Sequence, residues 1–161
     1  MLEQNKKLIL NILLGNLFMV SLGLGLVIPV LPTLINELDI SGSTAGYLVA
    51  VYAITQFITS PFSGKWVDQY GRKPTIILGL LIFAVSELLF GLGKNVYVLF
   101  VSRILGGFSN AFIFPAVTAF ITDVTSENKR SKAMGYMSAA INTGFLIGPG
   151  IGGFLADINM R

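Results

Sequence analysis

Five apolar runs, each close to the length a helix needs to cross a bilayer, most constrain what this chain can become. A hydrocarbon core of ~30 Å takes ~20 residues of helix at ~1.5 Å per residue. Runs of that order occupy roughly 8–32, 44–64, 74–93, 96–120 and 132–156. Of 161 residues, 53% are hydrophobic and only 12% charged, about half the charge that covers a soluble domain. The first run sits where a secretory signal would, but its apolar part is too long, no small-residue cleavage site follows, and four more runs come after it. The pattern predicts an all-α integral membrane protein, one membrane domain over 1–161 with five transmembrane helices.

The charged and reactive residues narrow the class further. Cys and His are both absent, which removes disulfides, thiolate or imidazole metal sites, a thiol nucleophile and the usual proton carrier near pH 7. With neither Cys nor His to act as nucleophile or base, an enzyme is the least supported class, and a scaffold or sensor would need a soluble domain. A net charge of +3 spread in short clusters argues against a nucleic-acid partner. Those clusters do report orientation. Lys6 and Lys7 precede the first run; Lys65, Arg72 and Lys73 lie between the second and third; Lys129, Arg130 and Lys132 lie between the fourth and fifth. The alternate loops hold only Lys94 and, after the last run, Arg161. The side richer in Lys and Arg faces the cytoplasm, which places the N-terminus there in a multi-pass protein of the cell membrane.

Glycine then marks one helix as a packing surface. Ala140, Gly144, Gly148 and Gly152 recur every fourth residue of the fifth run, so they form one smooth ridge. In lipid, where little hydrophobic drive brings helices together, such ridges let backbones meet closely. Pro149 removes one internal hydrogen bond and bends the helix, which is tolerated if a neighbour covers the freed carbonyl. Gly148, Gly150 and Gly153 also spell G-x-G-x-x-G, but a dinucleotide site needs a preceding strand and a βαβ unit, and neither is present.

Four stretches, in order, carry a resemblance. LGLGLVIPVLP (Leu22 to Pro32), GKWVDQYGRK (Gly64 to Lys73), RILGGFSNA (Arg103 to Ala111) and Gly144-x-x-x-Gly148-Pro149-x-x-Gly152-Gly153 resemble the first-helix, loop-two-three, fourth-helix and fifth-helix motifs of drug:proton antiporters of the major facilitator superfamily. The likeness is greatest to the twelve-helix Gram-positive exporters of fluoroquinolones and cationic dyes. The resemblance implies two six-helix halves, so the chain is expected to be an N-terminal fragment that lacks the sixth helix and the C-terminal half. It implies proton-driven efflux of amphipathic, often cationic drugs by alternating access, with the proton as coupling ion and no other cofactor. A narrow-substrate exporter or importer of a metabolite from the same superfamily is the alternative. It assigns proton coupling to Arg103, a conformational role to Gly64, Asp68, Gly71 and Arg72, and contact with the missing half to the ridge of Gly144, Gly148, Pro149, Gly152 and Gly153. It also implies an inverted repeat, of which Pro61-x-x-Gly64-x-x-x-Asp68 and Pro149-x-x-Gly152-Gly153-x-x-x-Asp157 are a faint trace.

Two charges fall well inside the runs, Glu87 and Arg103, each costing ~2.5 kcal/mol or more in lipid unless paired or wetted. Glu87 lies about 20 Å along an outgoing helix that starts near Pro74, and Arg103 about 10 Å down the returning one. In a ~30 Å core those depths coincide, so the two can pair if their faces meet. Asp68 with Arg72 and Lys73 can likewise form a charge clamp at the lysine-rich end. The substrate path draws its candidates from Glu87, Asn16, Gln56, Asn110 and Asn142, and from aromatics such as Tyr52 and Phe145.

Overall fold

The computed structural model describes residues 2–157, with side chains described over 5–154. Five helices follow one another: α1 (Leu2–Glu37), α2 (Gly42–Tyr70), α3 (Arg72–Leu92), α4 (Val96–Val124) and α5 (Arg130–Asp157), with a single 3₁₀ turn at Glu127–Lys129 before the last. Most run past the apolar segments at one end or both, because hydropathy marks only the lipid-level part of a helix that continues into the interface. Arg161 lies outside the described residues, as does the side chain of Asp157.

The connections are short and their chemistry is local. Ser41 caps α2 by accepting from the Thr44 N–H, and Asn95 caps α4 by accepting from the Tyr97 N–H, each satisfying a donor that the first turn leaves free. Between α2 and α3 stands one residue, Gly71, with φ +90°. A side chain there would be strained, so glycine is what lets two membrane-length helices join through a single residue.

Four helices, α1 to α4, are long and apolar enough to cross a membrane. α5 is 28 residues long, but its glycines, Ser138, Asn142 and Thr143 lower its hydropathy; that is why it is not among them. Its place comes from packing. Gly144 meets Phe18 and Leu22, Gly148 meets Leu22 and Gly25, and Gly152 meets Leu26 and Pro29, so α5 runs parallel to α1 over successive turns. α4 packs on α3 in an antiparallel hairpin and on α2 side by side. Exchanging α1 with α4 and α2 with α5 converts the α1–α5 pair into the α4–α2 pair, the arrangement an inverted repeat demands.

The outer face is apolar, and several polar side chains lie inside among the apolar ones. Ser21, Ser63, Ser86, Ser102, Ser109, Asn110 and Arg103 are buried, whereas Phe57 and Leu146 are each 80% exposed. Ser63, Ser102 and Ser109 donate to carbonyls one turn back in their own helices, which satisfies their hydroxyls without a partner helix. The apolar interior is in two parts: one joins Leu17, Val20, Phe83, Ile113, Val117 and Ile121, and the other joins Val27, Leu34, Leu48, Phe90 and Leu99.

Candidate functional site

Arg103 is fixed by three helices. Its own α4 buries it to 3% exposure, and its Nη2 donates to Glu87 Oε1 of α3 at 3.2 Å. The guanidinium lies over the Phe90 ring at 4.0 Å and within 5.8 Å of the Tyr52 ring centre on α2. A planar, permanently charged group suits both contacts, since it stacks on aromatic faces while donating in its plane. The level at which the two charges meet is set next door, where Ser86 donates to the Ser102 carbonyl at 2.7 Å. Gly106 and Gly107 make room for α2: a Cβ on Gly106 would lie 2.8 Å from Ser86 Oγ and 3.0 Å from the Tyr52 ring. Glu87 and Arg103, separate in sequence, thus form one ion pair, with the arginine buried and the carboxylate partly so.

The pair opens onto an apolar hollow of about 200 Å³ whose lining includes Leu24, Val27, Leu48, Tyr52, Arg103 and Phe145. Four of the five helices contribute to it. Of the substrate-path candidates, the structure brings Tyr52 and Phe145 to this hollow, and Glu87 reaches it only through its pair with Arg103. Asn110 is buried beside Tyr52, whose ring also lies near Arg103. Asn16, Gln56 and Asn142 do not line it. Asn142 is exposed and Asn16 half-buried, and Gln56 backs onto Gly107 in the α2–α4 contact.

Two sequence expectations are corrected. The ridge of α5 packs on α1, where the resemblance had implied contact with the other half of a longer protein. A Cβ on Gly144 would come 2.6 Å from the Phe18 carbonyl, on Gly148 2.7 Å from that of Leu22, and on Gly152 2.9 Å from that of Leu26. Gly153 is off the seam, with nothing within 4 Å of such a Cβ. The carbonyl freed by Pro149 is that of Phe145, and Gly25 of α1 lies against it, its own Cβ position 3.3 Å away. The second correction concerns the clamp. Arg72 pairs with Asp123 at the end of α4, Nε to Oδ2 2.8 Å, and not with Asp68. Asp68 is exposed and forms no salt bridge among the described residues. Gly64 is also exposed, and nothing would meet a Cβ there within 4 Å. Asp123 was missed because it lies beyond the apolar run ending near 120. The α3–α4 hairpin register that joins Glu87 to Arg103 puts Arg72 opposite Thr118, and Asp123 lies ~7.5 Å further along α4, within reach of an arginine side chain; that was the available signal.

Exposed apolar helix faces around a partly buried ion pair and an open apolar hollow define a polytopic membrane protein. The chain belongs to the Major Facilitator Superfamily, whose model matches residues 13–160. It is 62% identical over 158 residues to "Multidrug resistance protein 1" of Bacillus subtilis (strain 168), covering 98% of this chain and 41% of that protein. It is 48% identical over 150 residues to "Quinolone resistance protein NorA" of Staphylococcus aureus (strain MRSA252), covering 93% and 39%. The chain therefore spans about two-fifths of the length of the curated relatives it matches. The fold is also that of the human organic anion transporter MFSD10 (TETRAN), with a TM-score of 0.77 at 23% identity, covering 91% of this chain and 41% of that one.

Proposed function

We propose that this chain is part of a longer proton-driven multidrug exporter that works by alternating access in the cell membrane, with the N-terminus in the cytoplasm. The observation that carries this reading is Arg103, paired with Glu87, in the wall of the hollow lined by Tyr52 and Phe145. At about 200 Å³ the hollow is below the ~300 Å³ where ligand pockets begin. One wall of a drug site comes from this chain and the other from a C-terminal half. Glu87 takes up the proton. Its neutralisation releases Arg103 and changes how α3 and α4 hold each other, while the aromatic and aliphatic lining accepts amphipathic, often cationic drugs. Gly64, Asp68, Gly71 and Arg72 set the balance between the two access states. The proton is the coupling ion, and no covalent chemistry is done on the drug. The identity to multidrug and quinolone resistance proteins supports a broad substrate range over a single metabolite.

The test is ethidium efflux from energised cells carrying the full-length transporter. Arg103→Lys loses most of the proton-driven efflux, because an ammonium lacks the planar geometry used at Glu87 and Phe90. Arg103→Ala loses all of it. Wild-type efflux by Arg103→Ala removes the coupling role. Efflux that is indifferent to a protonophore in the unmodified transporter removes proton drive itself.

A further inference from the structure

A second cavity lies at the opposite end of α4 from Arg103 and takes no part in the proposed transport chemistry. It measures about 670 Å³ and is walled by the start of α1, the α4–α5 connection and the start of α5. That is within the ~300–1,000 Å³ range of ligand pockets. Four lysines line it, Lys6, Lys7, Lys129 and Lys132, and no carboxylate does among the described residues. None of the four forms a salt bridge among the described residues. Lys132 Nζ stands 5.8 Å from the Tyr136 ring centre, and Tyr136 lines the same cavity.

Converging cations without counter-ions repel one another, and a bound anion relieves that repulsion. The lining also changes with depth. Lys6 and Lys7 precede the first apolar run and Lys129 follows the fourth, so they stand at the membrane surface, where lipid phosphates lie. Val124, the last residue of α4, ends at that same surface, whereas Leu10 lies a turn past Lys6 in α1 and Tyr136 a turn past Lys132 in α5, and these two make the inner wall. A soluble phosphate would use the lysines alone, whereas a phospholipid presents phosphate, glycerol and acyl carbon in that same order. We propose that this cavity binds the headgroup of an anionic phospholipid, with the four lysines around its phosphate and the first acyl carbons against Leu10 and the Tyr136 ring.

Native mass spectrometry of the protein purified from membranes tests this, with dioleoyl phosphatidylglycerol, dioleoyl phosphatidylcholine and inorganic phosphate as probes. Phosphatidylglycerol should bind better than phosphatidylcholine, and Lys129→Gln with Lys132→Gln should weaken it about tenfold or more. Lys129→Arg with Lys132→Arg, which keeps the charge, should retain binding, as should Lys65→Gln with Lys73→Gln outside the cavity. Equal loss from both glutamine pairs would mean diffuse surface charge and overturn the site. No preference between the two lipids would also overturn it, and competition by inorganic phosphate in that case assigns the cavity to a soluble anion. Circular dichroism of each variant separates lost binding from lost folding, and the arginine pair supplies a second folded control.

Discussion

A single guanidinium in a membrane interior is held by what surrounds it, and Arg103 shows how many contacts that takes. Glu87 supplies the counter-charge, Phe90 covers one face, and Ser102 Oγ lies 3.5 Å from Nε. Removing one partner strands the other. Glu87→Gln should lower stability in detergent by about 2 kcal/mol, below the ~3–5 kcal/mol of a fully buried pair, because the Glu87 side chain keeps 26% exposure. Glu87→Gln combined with Arg103→Gln should recover part of that loss without recovering transport, the non-additivity expected of a coupled pair. Thermal unfolding of the two single variants and the double variant decides it, and strictly additive losses would mean that the pair is not coupled. The Arg72–Asp123 pair sits at the other extreme. Both side chains are a third to a half exposed, so its contribution to stability is ~1 kcal/mol or less.

At the scale of the element, α5 shows that equal residues do unequal work according to the face they occupy. Gly148 is pressed on the α1 backbone at Leu22 and Gly25, while Gly150, two residues on, faces open space. Gly148→Ala should therefore separate α5 from α1 and lower the unfolding midpoint. Gly150→Ala should leave it unchanged or raise it, since alanine favours helix over glycine by ~0.5–1 kcal/mol. Equal shifts in thermal unfolding would refute the seam. The bend at Pro149 belongs to the same contact, because the Phe145 carbonyl that it frees lies against Gly25. A helix with several glycines and a proline stays continuous over Arg130–Asp157 because a second helix is shaped to meet it.

Across the whole molecule, the outward faces say what this chain is built to meet. Much of α2 is exposed and apolar, with Phe57 at 80% and Phe62 at 62%, and beside these lie Gly64 and Asp68 with nothing packed on them. With Arg72 engaged by Asp123, the Asp68 carboxylate remains available to another part of a longer transporter. A contact made in only one access state changes the rate of switching and not the affinity of the drug site. Asp68→Asn should accordingly slow efflux in the full-length transporter while equilibrium ethidium binding stays within a few-fold. A large loss of binding with unchanged switching would place Asp68 in the drug site instead.

The sequence by itself determined the class of the fold. Apolar runs of membrane length, the distribution of lysine and arginine, and four ordered motifs were enough for a helical membrane protein of this superfamily, because bilayer thickness and backbone hydrogen bonding leave few alternatives. Depth along each helix was legible as well, since rise per residue is constant, and it brought Glu87 and Arg103 to one level. Which way a helix faces was not. The glycine ridge announced an interface, but only the tertiary structure assigned it to α1, because small residues permit close approach to any backbone and name no partner. Asp123 took Arg72 from Asp68 for the same reason: the α3–α4 register decides which charges come within reach. Tyr52, Phe145 and Arg103 meet at one hollow only because Gly106 and Gly107 let α2 close on α4, a distance set by packing in three dimensions and absent from any one segment's pattern.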